Sequence, residues 1–452
     1  MRKLLIANRG EIAIRIERAA RELNLSSVAV CSEADLEALH VQRADEFEVI
    51  GPSPASKSYL NIDAIIAAAK QTRADAVHPG YGFLSESADF AERVLAEGLV
   101  WVGPPPDAIR RMGNKAQARK TAKNAGLPTV PGSDGLVAGA TIAQRVAEQV
   151  GYPVAIKASS GGGGRGIRVV HSSEQLMAQL PIARAEAQAA FGDSDVYIER
   201  FLPQARHIEI QVFGDGKNFI HLGERDCSMQ RRRQKVIEEA GAPSLPREVA
   251  DAMAQSAVEL ANAVKYSGAG TVEFLYDFDT QDFFFIEMNT RIQVEHAVTE
   301  MVAGRDLVQE QLLVAMGQPL SITQEEFCPR GHAIEVRINA EDPAAGFMPS
   351  PGTLSAFRMP SGPFVRVDSG YDAGRVVTPY YDSLLAKIVV WGSDRGDAVT
   401  RLKRALGEVE ITGVKTTCDF VSRVLDSEEF VDGKYHTTFL EQWIDRQAKE
   451  SS

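Results

Sequence analysis

The chain has 452 residues, 44% hydrophobic and 24% charged, with a formal net charge of -12. That length exceeds one ordinary core and predicts two to four domains. The acidity is spread without a basic block or acidic tail, which argues against nucleic acid as the main partner. Cys31, Cys227, Cys328 and Cys418 stand far apart with no Cys-x-x-Cys pair, so reduced thiols are expected rather than a zinc site or disulfide framework. Leu4 to Ala7, behind Met1-Arg2-Lys3, is too short an apolar run for an export signal, and no stretch reaches bilayer length. A cytoplasmic location with no membrane partner is the expectation.

In chain order, Leu4–Ala7 reads as a buried strand and Glu11–Leu23 as a helix with Ile12, Ile16, Ala19 and Leu23 on one face. Strand candidates follow at Val28–Val30, Phe47–Ile50, Ala76–His78 and Val100–Val102, with a helix at Ile62–Ala69. This alternation predicts a doubly wound parallel sheet. No Gly-x-Gly-x-x-Gly follows the first strand, so dinucleotide binding has little support there. After Pro104-Pro105-Pro106 a basic helix is expected over Asp107–Asn124. Pro153–Arg168 reads as strand, glycine loop and strand, and Val196–Leu222 as strand-rich with a hairpin tip at Gly214-Asp215-Gly216. A helix is expected over Arg247–Tyr266, then a hairpin of Thr271–Tyr276 with Phe283–Met288. Beyond Gly331, candidate strands at Ala333–Ile338, Thr353–Phe357, Phe364–Val367 and Leu384–Val390, and a helix near Asp397–Leu406, predict a compact, mostly antiparallel domain.

Three clusters carry the chemistry. Ser159-Ser160-Gly161-Gly162-Gly163-Gly164-Arg165-Gly166 lacks the Gly-Lys-Ser/Thr of a Walker A loop. Its glycines let backbone N–H groups curl around phosphate oxygens, and Lys157 before it can hold a phosphate. A mobile linker is the bland alternative. In the expected hairpin, Glu273 can pair across to Glu287, and Asn289, Arg291, Gln293 and Glu295 would continue one polar side if extension persisted. Two carboxylates and an amide oxygen are hard ligands suited to Mg2+, against the alternative of solvated strand glutamates. The run Glu224 to Lys235 is unusually basic for an acidic protein. A solvated turn or an RNA-facing patch is the alternative to an anion site, and no interleaved aromatics favour RNA. Upstream, His207, Glu209 and Gln211 alternate with Ile208, Ile210 and Val212.

Taken together, these residues resemble the biotin carboxylases of the ATP-grasp superfamily. The resemblance begins at Ile6-Ala7-Asn8-Arg9-Gly10-Glu11-Ile12 and includes His78-Pro79-Gly80-Tyr81-Gly82-Phe83-Leu84-Ser85-Glu86, the glycine loop, and Glu224 to Lys235. It continues through Phe285 to His296 and Glu335-Val336-Arg337-Ile338-Asn339-Ala340-Glu341-Asp342-Pro343. It implies an N-terminal domain over about 1–113 and an ATP-grasp core over about 114–330 with a hinged lid near 131–203. A C-terminal, mostly antiparallel β domain would span about 331–447, making the whole α/β (α+β overall). By motif match, ATP would meet Lys115, Lys157, Gly163, Gly164, His207, Gln230, Arg233, Glu273 and Glu287, with adenine near Glu199, Arg200, Phe201 and Leu202. Glu273, Glu287 and Asn289 would hold Mg2+, with Mn2+ as an alternative. Bicarbonate would lie among Lys235, Arg291, Gln293, Val294 and Glu295, and biotin against Arg337 and Tyr81. The catalytic set is then Arg291, Glu295, Lys235 and Arg337.

The implied reaction is phosphorylation of bicarbonate to carboxyphosphate, with Glu295 as base, then carboxylation of biotin with Arg337 stabilising the ureido enolate. Three residues depart from the family pattern: Arg233 stands where His or Asn is usual, and Gly241 and Ala297 replace common prolines. They bear on nucleotide affinity, loop rigidity and partner choice. The 452 residues contain no Ala-Met-Lys-Met attachment site, so biotin is expected on a separate biotin carboxyl carrier protein, with a separate carboxyltransferase. A homodimer is implied by the resemblance alone. Acetyl-CoA carboxylase, and hence fatty acid biosynthesis, is the default setting, with pyruvate and propionyl-CoA as open acceptors. Another ATP-grasp ligase and a non-catalytic ATP-binding scaffold are the competing readings.

Overall fold

Residues 1–133, 135–159 and 166–450 are described in a computed structural model; Gly163 and Gly164, expected at ATP, lie outside them. The apolar runs of the first hundred residues become β1 (Lys3–Ile6), β2 (Ser26–Ser32), β3 (Glu46–Gly51), β4 (Ala76–His78) and β5 (Val100–Trp101). They form one parallel sheet in the order β3-β2-β1-β4-β5. Its strands are apolar on both faces because both are covered: Leu4 and Ile6 pack on the Gly10–Glu22 helix, while Leu5 and Ala7 pack towards Ile65 and Ile66. The strand order reverses between β1 and β4, where loops at the carboxyl ends form a crevice. Asn8 Nδ2 donates to the carbonyls of Pro79 and Tyr81, both at 2.7 Å. At Gly80 φ is +63° and a Cβ would stand 2.9 Å from Asn8 Nδ2, so only glycine lets this splint close.

The single basic helix expected over 107–124 is two helices, Pro106–Gly113 and Lys115–Asn124. Asn114 is extended between them and its side chain accepts from the Gln117 N–H at 3.0 Å. A side-chain cap there outcompetes helix continuation. β6 (Val154–Ala158), β7 (Ile167–Val170) and β8 (Val196–Arg200) make a small antiparallel sheet ordered β7-β6-β8. The helices Ala140–Val150 and Ser173–Phe191, neither read from the sequence, share its core.

β9 (Ala205–Asp215), β10 (Phe219–Arg231), β11 (Gln234–Ala240), β12 (Ser267–Asp277), β13 (Phe283–Asn289) and β14 (His332–Asn339) belong to an eight-stranded antiparallel sheet. Its order is β13-β12-β9-β10-β11-β14, followed by the strands Leu384–Gly392 and Val365–Ser369. Beyond Gly331, then, the strands His332–Asn339, Leu384–Gly392 and Val365–Ser369 join the central sheet, while shorter strands pair among themselves in three two-stranded sheets. The first three extend the central sheet, with Ile237 opposite Val336, and so cover what would be the bare edge of β11. The expected Thr353–Phe357 strand is instead two fragments, Gly352–Thr353 and Ala356–Arg358, each with a different partner. Helices at Cys418–Val424 and Phe439–Glu450, unread in the sequence, pack with Ile334, Val336 and Ile388. One face of the sheet buries Ile208, Ile210, Val272 and Phe274 against the Arg247–Ala263 helix. Among the described residues no helix is long and apolar enough to cross a membrane.

Candidate active site

The other face of the central sheet is charged and buried. Residues directly opposite in an antiparallel pair share a face, and the register puts Glu287 opposite Glu273, Glu273 opposite Glu209, and Glu209 opposite Arg225. Further along, Glu238 faces Glu335, Arg337 faces Lys387, and Lys387 faces Asp368. Three carboxylates stand side by side in this row and Glu238 faces Glu335, so it is tolerable only where cations reach in among them, because an unpaired buried charge costs several kcal/mol.

Lys235 is its hub, with Nζ 2.5 Å from Glu295, 2.7 Å from Glu209 and 3.3 Å from Glu273. Arg337 joins the same cluster through Glu295 at 3.1 Å and Glu238 at 2.5 Å. Burial pushes the Glu295 carboxyl up, but Lys235, Arg337 and Arg225 together hold it well below the usual carboxylate range. Glu273 is likewise pulled down against its burial by Lys235 and His207. Behind them Arg225, fully buried, donates to Glu209 at 2.6 Å, Gln211 at 2.7 Å, Thr299 at 2.9 Å, Thr271 at 3.1 Å and Gln293 at 2.6 Å. Gln293 in turn donates to Glu273 at 2.9 Å. Buried Lys387 donates to the Val294 carbonyl at 2.6 Å and so fixes the peptide just before Glu295.

The polar line expected to run by alternation from Glu287 to Glu295 does not form that way. The strand ends at Asn289, and 290–295 turn irregularly into the His296–Ala303 helix. Glu86 braces the turn, accepting from the Thr290 N–H at 3.1 Å and from Arg291 Nε at 3.0 Å. Arg291 reaches back to Asn289 Oδ1 at 3.0 Å. Gln293 and Glu295 reach the cluster by the turn, not by strand periodicity. Glu86, Arg225, Glu238 and Lys387 were given no role by sequence reasoning. Glu86 and Arg225 stand inside quoted motifs, whereas Glu238 and Lys387 gave no signal apart from being charges in apolar strands.

At the other end, Lys157 on β6 donates to Glu199 at 2.5 Å, and Arg119 pairs with the same carboxylate. Lys115, Tyr197, Phe285 and Ile286 line the cleft beside them. Burial lowers the Lys115 pKa, Glu287 partly restores it, and Lys157 and Arg233 oppose it as neighbouring cations. The N–H groups of Arg200 and Phe201 are used within the lid, on the carbonyls of Pro131 at 2.8 Å and Pro153 at 2.9 Å, and Leu202 is buried. His207 Nε2 lies 3.0 Å from Glu273, and Gln230 is buried nearby on β10. Tyr81 donates to Glu11 and feels the charge of Arg337.

Glu273, Glu287 and Asn289 fit a hard divalent cation. Glu287 accepts no hydrogen bond from a described residue, and its carboxyl is pushed up by burial and by Glu273 beside it. A cation between the two would relieve Glu287, the one without a hydrogen-bond partner among the described residues, while Glu273 is already held down by Lys235 and His207. His207, Glu209 and Glu273, and separately Glu209, Cys227 and Glu295, also offer ligand atoms within 4.8 Å of one another. There Lys235 and Arg225 already neutralise the carboxylates.

The three departures have local consequences. Arg232 and Arg233 form the two-residue turn between β10 and β11 with φ of +48° and +65°, a hairpin geometry usually supplied by Asn-Gly. Gly241 has φ of +88°, out of reach of a proline ring. Ala297 is fully buried in the first turn of the His296–Ala303 helix.

The sequence matches "Biotin carboxylase, N-terminal domain" over residues 1–109, "Carbamoyl-phosphate synthase L chain, ATP binding domain" over 114–323 and "Biotin carboxylase C-terminal domain" over 335–442. It is 53% identical over 444 residues to "Biotin carboxylase 1" of Bacillus subtilis (strain 168), covering 98% of this chain and 99% of that one. Its fold is similar to a biotin carboxylase from Campylobacter jejuni solved as a "beta-gamma-ATP complex", with TM-score 0.94, 46% identity and 98% of each chain covered. It is also similar to the biotin carboxylase domain dimer of Hydrogenobacter thermophilus 2-oxoglutarate carboxylase, solved with MgADP, ADP and bicarbonate. There the TM-score is 0.93 and the identity 45%, covering 98% of this chain and 97% of that one.

Proposed function

The chain belongs to the biotin carboxylase family, and from that premise we propose that it is an ATP-grasp ligase that carboxylates biotin with bicarbonate and ATP through carboxyphosphate. The observation that carries this reading is the position of Glu295, held between Lys235 on the phosphate side and Arg337 on the other.

Glu295, kept ionised by its cations, accepts the bicarbonate proton while a bicarbonate oxygen attacks the γ-phosphorus and ADP leaves. Lys115 and Lys157 offset charge on the phosphates, and Lys235 and Arg291 hold the small anion. Glu273, Glu287 and Asn289 would hold Mg2+, which supplies further charge compensation at the phosphoryl group when bound. Carboxyphosphate then splits into CO2 and phosphate. The phosphate takes the N1 proton of biotin, Arg337 steadies the enolate oxygen beside Tyr81, and N1 bonds to CO2. The lid, over about 131–203, excludes water that would hydrolyse carboxyphosphate.

Biotin is carried by a separate carrier protein, a carboxyltransferase takes the product, and the chain works as a cytoplasmic homodimer without nucleic acid or membrane. A dimer is recorded for the Hydrogenobacter domain. The final acceptor is assigned by the transferase, with acetyl-CoA as the default. The test is ATP cleavage by the purified chain. It should require bicarbonate and rise with free biotin or its carrier, with carboxybiotin formed in step. Turnover with an unrelated acid and amine, and none with biotin, would move the chain to another ligase.

A further inference from the structure

Arg337 has two carboxylate neighbours, and they bind it differently. Glu238 Oε1 accepts from Nε at 2.6 Å and lies 2.5 Å from Nη2, gripping one edge of the guanidinium. Glu295 touches the same Nη2 at 3.1 Å, while Nη1 has no hydrogen bond or ion pair with a described residue. A guanidinium is planar, so fixing one edge aims the opposite N–H groups. Glu238 is fully buried on β11.

Directly across from Glu238 on β14 stands Glu335, also fully buried. Both Glu335 oxygens and Glu238 Oε2 lack a hydrogen-bond partner among the described residues. The charged groups facing the pair are Arg337 on β14, Glu295 on the turn, Lys235 on β11 and Lys387 beyond Glu335. A core does not keep two buried carboxylates side by side, with three unsatisfied oxygens, for packing. Burial pushes the Glu238 carboxyl up and Arg337 pulls it back, leaving it at about 7. Glu335 across from it is pushed far higher by burial; the two-point grip of Glu238 on Arg337 is what the geometry itself shows.

We propose that Glu238 is a positioning residue for the biotin half-step: it clamps Arg337 so that the free edge of the guanidinium is aimed at the ureido oxygen. This rests on the reading of Arg337 as the enolate-stabilising group. Glu238 contacts no reacting atom and acts only through that arginine.

The experiment compares E238Q, E238D, R337Q and the double variant E238Q/R337Q as full chains. Two rates are measured: carboxylation of free biotin, and the bicarbonate-dependent ATP cleavage that proceeds without biotin. Melting temperatures are recorded alongside. E238Q is expected to lose biotin carboxylation by about 10- to 100-fold, at least tenfold more than it loses biotin-independent cleavage. E238D recovers part of the loss, and adding E238Q to R337Q costs less than about twofold more because the clamp then has nothing to hold. Equal loss of both rates, or multiplication of the two losses in the double variant, overturns the clamp. If E238Q does not fold, the same comparison is read from E238D. R337Q carboxylating biotin at the full rate overturns the role of Arg337 itself, whereas an inactive R337Q beside an unaffected E238Q overturns the clamp alone.

Discussion

Replacing Lys235 with glutamine removes the single cation shared by Glu209, Glu273 and Glu295 at 2.7, 3.3 and 2.5 Å. At an effective dielectric of about 20, pairs at these separations are each worth ~5 to 7 kcal/mol of gross attraction. Desolvation of the lysine offsets much of that, so stripping one partner from a buried cluster costs about 3–5 kcal/mol. The protein has a cheaper outcome open to it, which is to take up a proton. Burial already pushes the Glu295 carboxyl up, and without Lys235 less opposes it. A depressed carboxyl stabilises the fold above its unfolded pKa, and that contribution is lost as pH falls. In K235Q the Glu295 contribution shrinks, and the remaining acid loss begins nearer neutrality. The catalytic cost combines a lost anion-holding charge, about 100- to 1000-fold, with a base partly neutral at pH 7. Bicarbonate-dependent ADP release should therefore fall at least ~1000-fold, and melting curves between pH 5 and 8 should show the acid limb moved upward. K235Q retaining activity within tenfold, with an unchanged acid limb, would refute this reasoning.

Other perturbations probe the frame and the metal. Glu239 accepts from Tyr435 at 2.7 Å and from Arg395 at 2.8 and 2.9 Å, and pairs with His332 at 2.6 Å. E239Q should lose about 3–5 kcal/mol in denaturant unfolding. Burial raises the Glu239 carboxyl, but His332 and Arg395 draw it down to about 2. Its stabilisation is therefore full above the ordinary carboxylate range and fades as pH drops towards 2, an acid limb that E239Q should lack. E287Q should raise the Mg2+ concentration needed for half-maximal ATP cleavage by tenfold or more, ~1.4 kcal/mol, with little change in melting temperature. R225M should lower both stability and bicarbonate-dependent turnover, because Glu209 and Gln293 lose their shared donor; an active R225M with normal melting would count against Arg225 as the support under Gln293.

The legibility of the site followed the distance over which its parts are held. The Glu273–Glu287 pair could be read because two strands joined by a short turn have their register set locally. Asn289, close in sequence, came with it. Gln293 and Glu295 reach the cluster by a bend and not by the continued extension that the sequence reading made its condition, and that bend is braced by Glu86, some 200 positions earlier in the chain. The split of the 107–124 helix was in principle readable, since Asn114 is a capping residue followed three positions on by Gln117, but the basic helical pattern on either side masked it.

What the sequence determined by itself was chemistry and local form: apolar runs too short for anything but buried strands, a hairpin carrying paired carboxylates, and residue types suited to phosphate, oxyanion and divalent metal. Those are properties of a few neighbouring residues, governed by side-chain alternation and hydrogen-bonding capacity. Only the tertiary structure decided that strands from both sides of Gly331 share one sheet, bringing Arg337 and Lys387 to the cluster around Lys235. The physical reason is that a buried charge is stable only when an opposite charge, from anywhere in the chain, is brought within hydrogen-bonding distance. No periodicity along the chain encodes which distant residue will supply it.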